Sequence, residues 1–265
     1  MNSWIESLDF SIFGAALLLS AMGLWFVAIL PRFDRWSRHF FLGYFVILML
    51  CCLSGIVEVI LQQYNASRLA FVFLLLLETM LLALLLPMST AFLLYHCGEN
   101  LRTSRLLHIA LGLCAVLLLV LVSAPFSEGF FYVTPQNEYF RGPLYPLIVL
   151  PMIAIQLLTL VGTVRYRRRL SRKVFFAFLI ALLPIVVALT AQLFFDVFPL
   201  IDFSYLLSAL VMYSLILSDQ IEQDRSRQQE IVRQQQKSAC SNVRSLMSAP
   251  ASWCCKCDLI SSTTP

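Results

Sequence analysis

The chain has 265 residues, of which 60% are hydrophobic and 13% are charged, and its mean hydropathy is +0.82. Because soluble globular proteins average about 45–50% apolar and about 25% charged residues, this composition excludes that class and indicates an integral membrane protein. The formal net charge of +4 lies largely in loops beside apolar segments, where membrane topology accounts for it, so it does not predict a nucleic-acid partner.

Seven apolar segments follow one another along the chain, each long enough to cross about 30 Å of hydrocarbon as a helix of about 20 residues. Their spans are 11–30, 40–61, 69–95, 106–124, 144–164, 174–195 and 200–218. The runs are continuous rather than alternating, which excludes strands as the spanning element. No basic flank precedes the first segment, so we expect it to stay in the mature protein. The sequence therefore predicts an all-α membrane protein with a seven-transmembrane-helix bundle over residues 1–218.

Lysine and arginine are distributed unevenly between the connections of these segments. Eleven fall in the connections after the first, third and fifth segments, against Arg68 and Arg141 in the alternate connections. The positive-inside rule places the basic connections in the cytoplasm. We therefore expect the amino terminus outside and the carboxyl terminus in the cytoplasm.

The connection between the fourth and fifth segments is the longest and combines aromatic residues with turn residues. Phe130–Val133 is expected to form a short strand, followed by a turn at Thr134–Asn137. Arg141 is the one cation of this connection and could bind a carboxylate or phosphate of an external ligand. The alternative, which we favour, is that it pairs with Glu138 or Glu128 or caps the start of the fifth helix.

Four polar residues lie deep in the apolar segments. Glu58 and Glu78 occupy the second and third segments, and Gln156 and Gln192 occupy the fifth and sixth. An intramembrane carboxylate is costly enough to be a candidate functional residue, and we expect Glu78 to face the bundle interior. The set forms either a ligand-sensing cluster or structural hydrogen bonds between helices, for which Thr79, Thr159 and Thr190 are further candidates.

The composition changes to polar, helix-favouring residues over 219–236, which contains no glycine or proline. Residues at alternating four- and three-residue steps form a weak coiled-coil seam: Leu217, Ile221, Asp224, Gln228, Ile231 and Gln235. This pattern predicts a cytoplasmic signalling stalk that joins a homodimer through Leu217–Gln236, the alternative being a solvated terminal helix. Residues 237–265 lack periodicity and are expected to be disordered.

Signatures of catalysis and cofactor binding are missing from the sequence. It has no glycine-rich phosphate loop, no Gly-x-Ser-x-Gly elbow and no His-Glu-x-x-His pair. Cys254 and Cys257 have one half of a zinc-site spacing without a second pair of ligands nearby. We therefore expect no cofactor and no metal, and no catalytic domain in this chain.

A short motif in the long connection carries a resemblance to a known family. Residues Asn137–Tyr145 read NEYFRGPLY and resemble the outer-loop segment N-x-Y-x-R-G-P-L-Y in the seven-helix amino-terminal region of bacterial sensor histidine kinases. The resemblance implies a multi-pass protein of the bacterial inner membrane that detects an unknown extracytoplasmic or membrane-borne ligand. It also makes Asn137, Tyr139 and Arg141 candidate sensing residues.

The end of the chain suggests a shifted reading frame. Codons for Trp253–Pro265 can be chosen that, read one base out of frame, spell VVLQMRPHFIYNT, which resembles the phosphorylation box Q-x-R-P-H-F-x-x-N of the same kinases. This implies a kinase input module whose output domain is lost near Lys237, and restoring one base should open a frame into an ATP-binding domain. The alternative for the tail is a genuine cysteine-rich terminus. The alternatives for the function of the chain are the sensor region of a diguanylate cyclase and a small seven-helix transporter or membrane enzyme.

Overall fold

The computed structural model describes residues 3–29, 34–64, 67–127, 129–134, 139–194 and 198–246. Two units separate after Leu217. The elements are α1 (Ser3–Ile29), α2 (Arg35–Gln63), α3 (Arg68–His96), α4 (Arg105–Ser123), a short 3₁₀ turn (Ala124–Phe126), β1 (Phe131–Val133), β2 (Tyr139–Arg141), α5 (Pro146–Arg165), α6 (Arg172–Gln192) and α7 (Phe198–Leu246).

The helices confirm the predicted all-α class. Within the described ranges, seven helices are long and apolar enough to cross a membrane. Several begin before the predicted apolar spans, with arginine as the first residue of α2, α3, α4 and α6. Hydropathy marks only the part of a helix inside hydrocarbon, whereas the helix itself continues into the polar interface. Asp34 and Ser171 cap α2 and α6 there by accepting hydrogen bonds from the backbone N–H groups of Ser37 (3.1 Å) and Val174 (3.2 Å).

Helix α3 is hydrogen-bonded to three neighbouring helices. Ser54 of α2 donates to the carbonyl of Leu74 over 3.2 Å, and the thiol of Cys114 in α4 donates to that of Ala83 over 3.6 Å. The hydroxyls of Thr90 in α3 and Thr159 in α5 are 2.7 Å apart. Small polar side chains commonly join helices in lipid in this way. Helix α3, which carries Glu78, is therefore the central helix of the bundle.

Helices α1 and α2 approach closely at glycines. A Cβ atom added to Gly55 of α2 would lie 2.5 Å from the ring of Phe13 in α1, and one added to Gly23 of α1 would lie 2.6 Å from the ring of Phe45. These separations are shorter than van der Waals contact. The two glycines therefore provide the space in which the facing aromatic rings pack.

Substituting Gly55 by alanine should destabilise the bundle, because the added methyl group overlaps the ring of Phe13. The matched control is Gly14→Ala in α1, where nothing lies within 4 Å of the added atom. Both changes give the same gain in helix propensity, so the difference between them isolates the overlap. We expect Gly55→Ala to unfold about 1–3 kcal/mol more easily than Gly14→Ala in denaturant titrations. Equal stabilities would contradict close packing at this contact.

A two-stranded antiparallel hairpin lies between α4 and α5. Its register pairs Phe131 with Arg141 and Val133 with Tyr139. The predicted strand is confirmed at β1, whereas β2 was not predicted, and turn residues 135–138 lie outside the described residues. Side chains of β1 pack against Phe71 and Leu75, which lie near the start of α3. The hairpin therefore covers one end of the bundle.

The connections at the opposite end of the bundle contact one another. The Tyr95 hydroxyl at the end of α3 donates to the carboxylate of Asp34 over 2.7 Å. Arg169, between α5 and α6, forms an ion pair with Glu99, between α3 and α4. The connections that the sequence identified as basic thus share one end, opposite the hairpin.

The described part of the second unit, which begins at Ser218, is the C-terminal part of α7. It is helical to Leu246, beyond Gln236, where the stalk was predicted to end. Its side chains are mostly exposed, including the apolar Ile231 and Val232. The Gln223 amide donates to Asp219 over 2.9 Å, one turn earlier. The rest of the predicted disordered tail, 247–265, lies outside the described residues.

Candidate functional site

Three carboxyl groups from different helices meet inside the bundle. The side chains of Glu58 in α2 and Asp202 in α7 both lie next to that of Glu78 in α3. Glu78 is 4% exposed and Asp202 is 1% exposed. Three adjacent carboxylates in an apolar interior repel one another, so the cluster is stable only if protons or a cation neutralise part of its charge. We call Glu58, Glu78 and Asp202 the carboxyl cluster.

Polar atoms in and beside this cluster have unmet hydrogen-bonding capacity. Within the described part of the chain, both carboxylate oxygens of Asp202, Oε1 of Glu58, the Tyr205 hydroxyl and the Gln156 amide have no hydrogen bond of normal geometry. Most buried polar atoms in proteins are hydrogen-bonded, and leaving one unpaired costs about 1–3 kcal/mol. Glu58 and Asp202 are within reach of Glu78, and Tyr205 of Gln156, without well-formed bonds, so the cluster keeps hydrogen-bonding capacity that a bound polar group could use.

A small cavity lies between this cluster and the hairpin. The space in it accessible to water-sized molecules is ≈ 40 Å³, enough for about three waters. Its polar lining comes from α3, the connection between α4 and α5, α6 and α7. It includes Glu78, Thr79, Tyr139, Tyr145, Gln192 and Tyr205. The remaining lining is apolar or aromatic, as is usual for small-molecule sites.

Arg141 holds the hairpin to the end of a helix beside this cavity. Its guanidinium donates to the backbone carbonyl of Gln192, the last residue of α6, and lies 4.4 Å from the ring centre of Tyr145. A cation at this position satisfies a carbonyl that has no partner within the helix and interacts favourably with the helix dipole. The expected capping role is thus found at the end of the sixth helix instead of the start of the fifth.

The residues predicted from the sequence fall into three groups. Glu78, Gln192 and Tyr139 line the cavity. Glu58 and Gln156 do not line it: Glu58 lies next to Glu78, and Gln156 is buried close to Tyr205. Arg141 lies at the edge of the cavity through its two contacts, and Asn137 is outside the described residues.

Asp202, Tyr205 and Tyr145 were missed by sequence reasoning as site residues. Asp202 lies at the start of the seventh segment and was not considered a site residue, although an aspartate there carries the same signal as Glu78: a charge that hydrocarbon does not tolerate without a partner. The two tyrosines give no such signal, because tyrosine is common at membrane interfaces.

The cluster does not have the arrangement of a metal site. Over the residues that the structure describes, no group of three or more His, Cys, Asp or Glu side chains is arranged to hold a metal ion. Cys51 and Cys52 are buried near the cluster and are not in a disulfide. The chemistry of the site therefore lies in its carboxyl, hydroxyl and amide groups.

No protein-family model matches the chain, and no curated protein matches it. Its function is therefore argued from the geometry of the site.

Proposed function

We propose that this chain is the sensor module of a bacterial membrane signalling protein, with the carboxyl cluster and the adjacent cavity as the input site. The observation that carries the proposal is that one helix contributes to the input site and also forms the polar segment that follows the bundle. Helix α7 contributes Asp202 and Tyr205 to the site, and the same helix continues into the polar segment beyond Leu217. Whatever binds or neutralises the cluster acts directly on the helix that leaves the bundle.

The physical basis is a difference in charge between two states of the site. When the carboxyl cluster is neutralised, α2, α3 and α7 can pack closely, and when it is not, repulsion favours separation of α7 from Glu78. A stimulus shifts such an equilibrium only through its different affinity for the two states. Charge compensation in a dry interior provides a difference of that kind.

The output that we propose is a two-component histidine kinase. The supporting observations are the segment Asn137–Tyr145 and the out-of-frame phosphorylation box near the end of the chain. In this proposal the hairpin end faces outward, the basic connections face the cytoplasm, and two chains pair through Leu217–Gln236, with Ile221 and Ile231 in the seam. A diguanylate cyclase output would use the same input site and the same helix.

A fusion protein tests the proposal. Residues 1–236 joined to a kinase domain without its own sensor should phosphorylate a response regulator in cells, which requires the fused end to face cytoplasmic ATP. Asp202→Asn removes a charge from the cluster and should change the phosphorylation level about 3- to 10-fold, a free-energy bias of about 1 kcal/mol.

The control for this fusion is Glu99→Gln, which breaks the exposed ion pair with Arg169 at the other end of the bundle and should change little. Phosphorylation that is identical in the parent, Asp202→Asn and Glu99→Gln at equal membrane amounts would sink the sensor proposal. A fusion inactive in every form would also count against it.

A transporter is the second candidate function, and the buried carboxyl cluster favours it, because carboxylates inside a bundle also form proton and ion pathways. A transporter would move its substrate across liposomes that contain this chain alone, and Glu78→Gln would abolish the flux. A sensor alters phosphorylation without any flux.

A further inference from the structure

We propose that the cavity beside the carboxyl cluster binds a small primary ammonium cation, from methylammonium to propylammonium in size. The inference rests on the proposed function insofar as it names the stimulus for that same site. The ammonium group would lie against Glu78 and Tyr205, close to Asp202, and its short alkyl chain would point toward the apolar cavity wall.

The carboxyl cluster gives the site the negative charge that a cation would neutralise. Glu78 lines the cavity, and the other two carboxyl groups lie against it. Among the described residues that line the cavity there is no lysine, arginine or histidine. Arg141, at the edge, is engaged by the carbonyl of Gln192 and the ring of Tyr145. Buried carboxylates need a paired cation or protons, and these side chains do not supply the cation.

The unpaired acceptors match the hydrogen-bonding pattern of an ammonium group. A primary ammonium has three N–H donors and no acceptor. Tyr205 lines the cavity and is completely buried, and its hydroxyl has no hydrogen bond of normal geometry within the described chain. Asp202 is not part of the cavity lining but lies next to Glu78, and neither of its oxygens has such a bond within the described chain. Glu78 is the third acceptor. The ammonium group could thus bond to Glu78 and Tyr205 directly, and its charge would offset that of Asp202 next to them.

Metal ions fit this arrangement less well than an ammonium group does. Magnesium and calcium require oxygen ligands at about 2.0–2.6 Å, whereas an ammonium hydrogen bond to a carboxylate spans about 2.7–2.9 Å. The carboxyl cluster lies in no metal-holding group among the described residues. An organic cation, which needs no closed shell of oxygen ligands, is therefore the better candidate.

The rest of the cavity limits the size of the cation and favours a partly apolar one. The lining includes Phe131, Tyr139 and Tyr145, whose ring faces attract cations, together with aliphatic residues such as Leu75 and Ile148. A space of ≈ 40 Å³ for water-sized molecules holds about three waters, comparable to an amine of three or four non-hydrogen atoms. The chain of a longer alkylammonium ion would have to extend beyond this space.

Calorimetric titration of the full chain in lipid nanodiscs tests the proposal with methylammonium, propylammonium, hexylammonium, propanol and propionate. Saturable binding is expected for the two small ammonium ions and for neither propanol nor propionate, and hexylammonium should bind at least 10-fold more weakly than propylammonium. Glu78→Gln should weaken propylammonium binding about 10- to 100-fold, the effect of losing a charged hydrogen-bond partner. Tyr205→Phe should weaken it about 3- to 10-fold, and Glu99→Gln should leave it unchanged.

Equal binding of propanol and propylammonium, binding unaffected by Glu78→Gln, or no binding at millimolar concentration would each overturn the inference. Asp202→Asn serves as a second variant if Glu78→Gln does not fold. The kinase fusion separates this outcome from the fate of the proposed function. If ammonium binds without a phosphorylation response, the binding site is supported and the sensor proposal is refuted. If Asp202→Asn changes phosphorylation but no ammonium ion binds, the sensor proposal is supported and the ammonium site is refuted.

Discussion

Replacing Asp202 with leucine is expected to make the bundle more stable, by about 1–4 kcal/mol. Leucine branches at the same atom as aspartate, although its methyl groups are larger than the oxygens, and both carboxylate oxygens of Asp202 lack a hydrogen bond of normal geometry within the described residues. The substitution therefore removes the repulsion from Glu78 and the desolvation cost, and it gives up only contacts with Glu78 and the backbone that fall short of normal hydrogen-bond geometry. Thermal unfolding in nanodiscs should show a raised Tm together with a loss of the signalling response in the kinase fusion.

The control for this substitution is Thr159→Val, which also replaces a buried polar side chain in the bundle by an apolar one of similar shape. Thr159 is hydrogen-bonded to Thr90. Loss of this bond should lower the free energy of unfolding by about 0.6 kcal/mol, the average for such bonds in membrane proteins. The two substitutions should thus have opposite signs. A lower Tm for Asp202→Leu would mean that the carboxyl group has a stabilising partner and that the cluster is structural.

Truncating Phe92 to alanine should have the largest destabilising effect in the bundle, about 3–5 kcal/mol. Phe92 of α3 is 0% exposed and stacks on Phe40 at 4.0 Å between ring centres. Its ring also contacts Trp36, Phe41, His96 and Phe178. Removing it opens a cavity where side chains from α2, α3 and α6 meet, and that space cannot be filled by lipid.

Phe73→Ala on the same helix is the matched control for Phe92→Ala. Phe73 is 62% exposed, so its ring would contact lipid. When the ring is removed, lipid can occupy the space, and few contacts within the protein are lost. Denaturant titration should find this variant close to the parent protein. Comparable losses for Phe92 and Phe73 would show that the aromatic cluster around Phe92 adds nothing beyond the apolarity of the helix.

Hydropathy was sufficient to predict the seven helices because each crosses hydrocarbon and must satisfy its own backbone there. The burial of Glu78 followed from the same physics, since a carboxyl group flanked by leucines cannot face lipid. The extent of the helices was less predictable. The ends at Arg35 and Arg172 depend on capping by Asp34 and Ser171, to which a hydropathy average is insensitive.

The composition of the site depended on information that a linear sequence does not carry. Glu58, Glu78 and Asp202 are far apart in the chain and meet only because α2, α3 and α7 pack together. Likewise, β2 has three residues and no alternation that would distinguish it from a loop, and it forms by pairing with β1. Arg141 was recognised as important, but its partner on α6 could not be known before the tertiary arrangement was.

The hydrogen bonds of α3 to α2, α4 and α5 give the site a fixed frame of reference. Glu78 is attached to a helix held on three sides by Ser54, Cys114 and Thr159. Asp202 belongs to α7, for which the described bundle shows a side-chain bond from Ser208 to the Ala181 carbonyl of α6. A change in separation between Glu78 and Asp202 would therefore be a displacement of α7 relative to a helix with more interhelical bonds than its own, so distance probes belong on α3 and α7.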